Sequence, residues 1–144
     1  MKLEEIHAAW KEDSHIDSTE IGEEAMKIAK LHHKYYQMLT NERFVLKGQE
    51  SDMKKLKLAK YEFFTQGHNE ETKEKGWEMP AKGIILKTDI PMYMDGDPDI
   101  IKLSLKIGLQ QEKVELLESI IKTIMNRGYN LKVFIEWQRF INGS

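Results

Sequence analysis

Residues 54–64 read KKLKLAKYEFF. Lys54, Lys55, Lys57 and Lys60 fall in this run with no acidic residue between 54 and 60, and Tyr61, Phe63 and Phe64 follow. Ammonium groups next to aromatic rings suit single-stranded nucleic acid. The lysines track phosphates while the rings offer flat faces on which bases stack. The same residue types also suit the solvated side of an ordinary amphipathic helix. Side chains that read duplex grooves are usually arginine and asparagine at base edges. The run contains neither, so sequence-specific duplex recognition is not expected.

No other stretch carries a reaction. There is no Gly-rich phosphate loop and no HExxH zinc pair. His32 and His33 are adjacent, about 100° apart on a helix, so they do not share a face. Asp95, Asp97 and Asp99 occupy the first three ligand positions of an EF-hand loop. Ile100 stands where that loop needs glycine and Lys106 where it needs glutamate, so the site fails. Asp97-Pro98-Asp99 reads instead as a turn into a helix start. The serines lie outside any nucleophile-elbow context. The expectation is a protein without metal or cofactor that is not an enzyme.

The chain has 144 residues, 22 lysines and arginines, 24 aspartates and glutamates, a net charge of -2 and no cysteine. That length predicts a single domain over 1–144 with a real core. The missing cysteines exclude disulfide staples and thiolate metal sites and fit a reducing compartment. The N-terminal segment lacks the apolar core of a signal peptide, and no stretch approaches the about 20 apolar residues of a membrane span. A soluble, intracellular protein without membrane association is predicted. Near-neutral charge means that any polyanion site is a local patch.

The residues must be held by helices. Residues 2–12 place Leu3, Ile6 and Trp10 on one side of a short helix. Asp17 followed by Glu20 reads as an acidic capping box. From Ile21, apolar residues recur in steps of four and three, with His32, Glu42, Gln49 and Lys60 as polar interruptions. The pattern predicts a long helix over 18–65, which needs a partner along its length. Residues 66–98 hold all three prolines and read as an irregular connector, with GIILKT at 83–88 a candidate short strand. A second long helix spans 99–127, with Gly128 as its stop. Its seam mates with the first in an antiparallel hairpin. The fold class is mainly α.

On the first long helix, Arg43, Lys47, Lys54, Lys57 and Tyr61 form a stripe about 80° wide, with Glu50 as its only acidic member, largely opposite the apolar seam. Lys60 instead falls within the seam. A buried unpaired lysine is costly. It snorkels outward, or the helix has left its partner there, or the lysine faces a ligand. The last segment, 130–142, starts at Asn130 as N-cap. Leu131, Val133, Phe134, Ile135, Trp137, Phe140 and Ile141 cover an arc of about 220°, more than one packing surface needs. This is a core helix wrapped on two sides or a subunit interface, and the terminal position favours the interface.

The stretches KLEEI with HIDST at 2–19, LKLAKYEFFTQG at 56–67 and NRGYNLKVFIEWQRF at 126–140 carry a resemblance over nearly the whole chain. It resembles the UvsY recombination mediator proteins of T-even-type bacteriophages. The resemblance implies an accessory protein that binds single-stranded DNA. It helps load the phage recombinase onto strands covered by the single-strand DNA-binding protein, and it works in the cytoplasm of the infected bacterial host. It also implies a closed homo-oligomeric ring, a hexamer or heptamer, that contacts both phage proteins. The family's DNA motif, leucine-basic-small-basic followed by two aromatics, puts its second basic position on Lys60 and its aromatic pair on Phe63 and Phe64. Its first basic position falls on Leu58, a departure. Neighbouring Lys57 points about 100° away. The expected DNA contacts are thus Lys60, Lys57, Lys54, Lys47, Arg43, Tyr61, Phe63 and Phe64. In a ring, modest patches repeat and affinity comes from multivalency. The alternative is a helical protein-interaction adaptor without nucleic-acid binding.

Overall fold

The computed structural model describes residues 1–80 and 85–143. Among the described residues, helices α1 (Leu3–Asp13), α2 (Ile21–Gln66), α3 (Glu70–Glu74), α4 (Ile90–Asp95) and α5 (Pro98–Ile141) follow one another. The fold is mainly α, as the periodicity predicts. Of the candidate strand at 83–88, residues 83 and 84 lie outside the described residues, and 85–88 are turn and irregular chain. The connector instead folds two short helices, α3 and α4.

Both long helices have legible ends. Gly67 takes a φ of +82° and its N–H donates to the Phe63 carbonyl at 2.9 Å, a left-handed stop that suits glycine. Asp97 caps α5: its Oδ2 accepts from the Asp99 N–H at 3.0 Å and the Ile100 N–H at 3.1 Å. Pro98 follows at the first helical position, where a missing N–H costs nothing. Asp17 does not cap α2. Its Oδ1 accepts from the backbone N–H and the hydroxyl of Thr19, at 2.9 and 2.6 Å, closing a local turn ahead of the helix.

The residues group into two compact units, Met1–Phe44 with Gln110–Ser144 and Val45–Leu109; α2 and α5 contribute to both. In the first unit α1 and the start of α2 pack with the later part of α5 around Ile6, Tyr35, Leu39, Leu117, Ile120 and Ile124. Ile28 lies beside Gly128, and Glu42 beside Gln110, so the two helices run antiparallel. Glu42 is buried, and the Gln110 amide donates to both its carboxylate and its carbonyl. Arg127 is buried as well. Its Nη2 donates to the carbonyls of Asp13 and Ser14, at 3.2 and 3.3 Å, closing the C-terminal end of α1. The Tyr35 hydroxyl donates to Asp13 Oδ2 at 2.8 Å, and burial, then that carboxylate, push the phenol well above its ordinary range. Burial raises the Asp13 carboxyl, but Lys34 and Tyr35 hydrogen bonds and the charges of Lys34 and Arg127 leave it below its ordinary value.

One expected boundary is corrected. The break at Gly128 and the separate helix from Asn130 are absent: α5 runs unbroken to Ile141. Glycine stops a helix through a positive φ, and Gly128 does not adopt one. A Cβ at 128 would sit 3.8 Å from Ile28 Cδ1, an ordinary contact. Gly128→Ala therefore gains helix propensity without a clash, an effect of about 0.5–1 kcal/mol. Thermal unfolding of the variant should show a raised Tm. A lowered Tm would mean that residue 128 leaves the helix in solution.

Candidate nucleic-acid interface

In the second unit, the later part of α2 packs with α3, α4 and the start of α5 around Phe63, Phe64, Ile90 and Ile100. Lys60 lies at the centre of this packing and is only 3% exposed. Its ammonium sits 3.1 Å from Asp97 Oδ1 and 2.8 Å from Asp99 Oδ2. It also stands 3.8 Å from the centroid of the Trp77 ring, a close cation–π contact. The two carboxylates belong to the start of α5, where the helix dipole favours negative charge. Lys60 therefore neither snorkels nor leaves the core. It is paired inside it.

The motif's aromatic pair is buried too. Phe63 is 2% exposed and Phe64 7%. Phe63 meets the edges of His68 and Trp77, with centroids at 5.0 and 5.4 Å, and Phe64 lies 6.4 Å from Tyr93. In this arrangement Lys60, Phe63 and Phe64, expected as nucleic-acid contacts, are core residues. Lys60 and Phe63 lie on the apolar seam and Phe64 follows Lys60 by one turn, so all three side chains turn inward.

What remains outside is different. Lys54, Lys57 and Tyr61 are exposed, as is Lys47. None of the three lysines reaches a carboxylate among the described residues. Leu58, at the departure from the family motif, is exposed next to Lys57. Tyr61, one turn on, is 44% exposed. Arg43, in the first unit, is exposed but its guanidinium is held by Glu118 at 2.9 Å. The end of α5 divides the seven expected assembly residues. Leu131 is buried and Phe134 half-buried, while Val133, Ile135, Trp137, Phe140 and Ile141 are exposed. Trp137 and Phe140 are 56% and 78% exposed and stack at 6.0 Å with an interplanar angle of 23°.

The family described as "Recombination, repair and ssDNA binding protein UvsY" matches residues 9–144. The chain belongs to the UvsY family. Its fold is similar to crystal structures of the bacteriophage T4 recombination mediator protein UvsY. One lattice form aligns at a TM-score of 0.79 with 20% identity over 99% of this chain and 98% of that one. Another aligns at 0.77 with 18% identity over 97% and 98%. No curated protein sequence matches the chain. The UvsY family is one of recombination, repair and single-stranded-DNA-binding proteins.

Sequence reasoning missed the partners of Lys60. A lysine on an apolar seam demands an acid, and Asp97 and Asp99 were the aspartates of a failed EF-hand pattern. Asp99 lies 39 residues away in the chain, too far for spacing to reveal. Trp77, which covers the ammonium, stands in a connector without periodicity.

Removing one member of a buried ion pair leaves the other uncompensated, at a cost of about 3–5 kcal/mol. In this UvsY-family member, Lys60→Ala should destabilise the fold by an amount in that range, read as a lowered midpoint of denaturant unfolding. An unchanged midpoint, with single-strand binding alone impaired, would show that Lys60 contacts DNA directly.

Proposed function

We propose that this chain is a recombination mediator that binds single-stranded DNA through the exposed face of α2. In this reading it helps load a phage recombinase onto strands covered by the single-strand DNA-binding protein, in the cytoplasm of the infected bacterial host. It works by binding and catalyses no covalent step. The observation that carries the reading is the free lysine face. Lys47, Lys54 and Lys57 are exposed without carboxylate partners among the described residues, and Leu58 and Tyr61 are exposed beside them. Phosphates meet the ammonium groups and bases meet the tyrosine ring. Lys60 supports this face from within as a positioning residue, holding α2 to the start of α5.

The face is modest for a lone subunit of net charge -2. The reading therefore includes assembly into a homo-oligomeric ring, a hexamer or heptamer. The exposed apolar residues at the end of α5 support it, because Trp137 and Phe140, stacked and exposed beside Val133, Ile135 and Ile141, add apolar surface that assembly would cover. A ring repeats the lysine face and multiplies its effective affinity.

Two measurements test these parts separately. Binding of fluorescent oligo-dT by Lys54→Ala with Lys57→Ala should weaken. The slope of log affinity against log salt should flatten by about 0.7 for each phosphate no longer neutralised. An unchanged slope would remove the lysine face from the DNA-binding surface. Light scattering of Trp137→Ala with Phe140→Ala should show monomers or small species where the native chain forms a ring. Retention of the native mass would place the interface elsewhere.

A further inference from the structure

A cleft of about 240 Å³ opens next to the lysine face, entirely within the second unit. Lys57 and Tyr61 of α2 form one part of its lining, Lys87 comes from the segment before α4, and Pro91, Met94 and Asp95 come from α4. We propose that this cleft seats one base of a bound single strand against Tyr61, with the neighbouring phosphates held by Lys57 and Lys87. The inference rests on the single-strand reading above and deepens it: it names where a base goes and adds a lysine from outside α2.

Three observations carry it. The first is charge. Lys57 and Lys87 are both exposed, and neither meets a carboxylate among the described residues. A larger hollow of about 540 Å³ beside Trp77 also contains Lys60, but Asp97 and Asp99 already hold that charge. The second is the lining. Pro91 and Met94 offer nothing to a hydrated ion or a phosphate, whereas they suit the flat apolar face of a base. Of the three aromatics that end the basic run, only Tyr61 keeps an open face. The third is selectivity within the cleft. The Asp95 carboxylate repels phosphate, so the sugar-phosphate chain stays at the lysines, and it can accept a hydrogen bond from a base N–H. The volume lies below the about 300–1,000 Å³ of sites for larger ligands, which fits a single ring system.

The test uses the full chain with two fluorescent oligonucleotides of equal length, oligo-dT and an abasic sugar-phosphate strand. The native protein should prefer oligo-dT. Tyr61→Ala should lose about tenfold on oligo-dT, the value of one base–aromatic stack, and leave the abasic strand unaffected. Tyr61→Phe should keep the preference. Lys87→Ala should weaken both strands and flatten the salt slope by about 0.7. Tyr61 and Lys87 are exposed, so an unaltered Tm confirms that each variant folds. If Tyr61→Ala and Lys87→Ala bind both strands as the native chain does while Lys54→Ala with Lys57→Ala is impaired, the cleft is wrong and the lysine face stands. If the native chain itself binds neither strand, the single-strand reading falls with it.

Discussion

A charge taken out of water must be met by an opposite charge, and Lys60 shows what that requirement builds. Its ammonium is closed in by Asp97, Asp99 and the face of Trp77. The acids open α5, the tryptophan follows α3, and the lysine sits near the end of α2. Three separate parts of the second unit therefore meet at one atom. Phe63 and Phe64 pack around that point and exclude the water that would weaken it. The same Asp97 carboxylate caps α5 with its other oxygen. Ion pair, helix start and aromatic core are one structure.

The first unit buries a charge as well. Glu42 interrupts the seam of α2 and Gln110 that of α5; the Glu42 carboxylate accepts from the neutral Gln110 amide and meets the Met1 ammonium at 3.5 Å. An apolar seam repeats every three or four residues and would tolerate a slip of one repeat. A buried glutamate does not, because a slip leaves it unpaired in the core. Arg127 adds a second fixed point, since its guanidinium reaches the last carbonyls of α1 while lying 5.5 Å from the Trp10 ring. The polar residues that blur the periodicity are the ones that select its register.

This division of charge bears on binding. Of the lysines in the basic run, Lys60 is turned inward and its charge is paired, while Lys54 and Lys57 face water with no carboxylate among the described residues within ion-pair distance. Outward charge acts only over about a Debye length, about 8 Å at physiological salt. A chain of near-neutral total charge can therefore still present a locally basic surface.

The two long helices were legible, whereas α3 and α4 in the connector were not. The step of three and four along α2, the absence of proline and the cap at Asp97-Pro98 mark long helices and their ends, because these features act on the local backbone. The excess of apolar residues after Leu131 was legible for the same reason, and five of them are exposed in the fold. The continuity of α5 through Gly128 was not legible, since glycine permits both a stop and a turn of helix. Nor was the fate of the basic run. Lysines at 54, 57 and 60 are chemically alike, and only their neighbours separate them. Helical phase alone marked Lys60 as anomalous. That its partners are Asp97 and Asp99, and that Phe63 and Phe64 are core while Tyr61 is open, depends on packing between residues far apart in the chain. Local propensity determines which segments are helical; the pairing of buried charge across those segments decides which side chains remain free to bind.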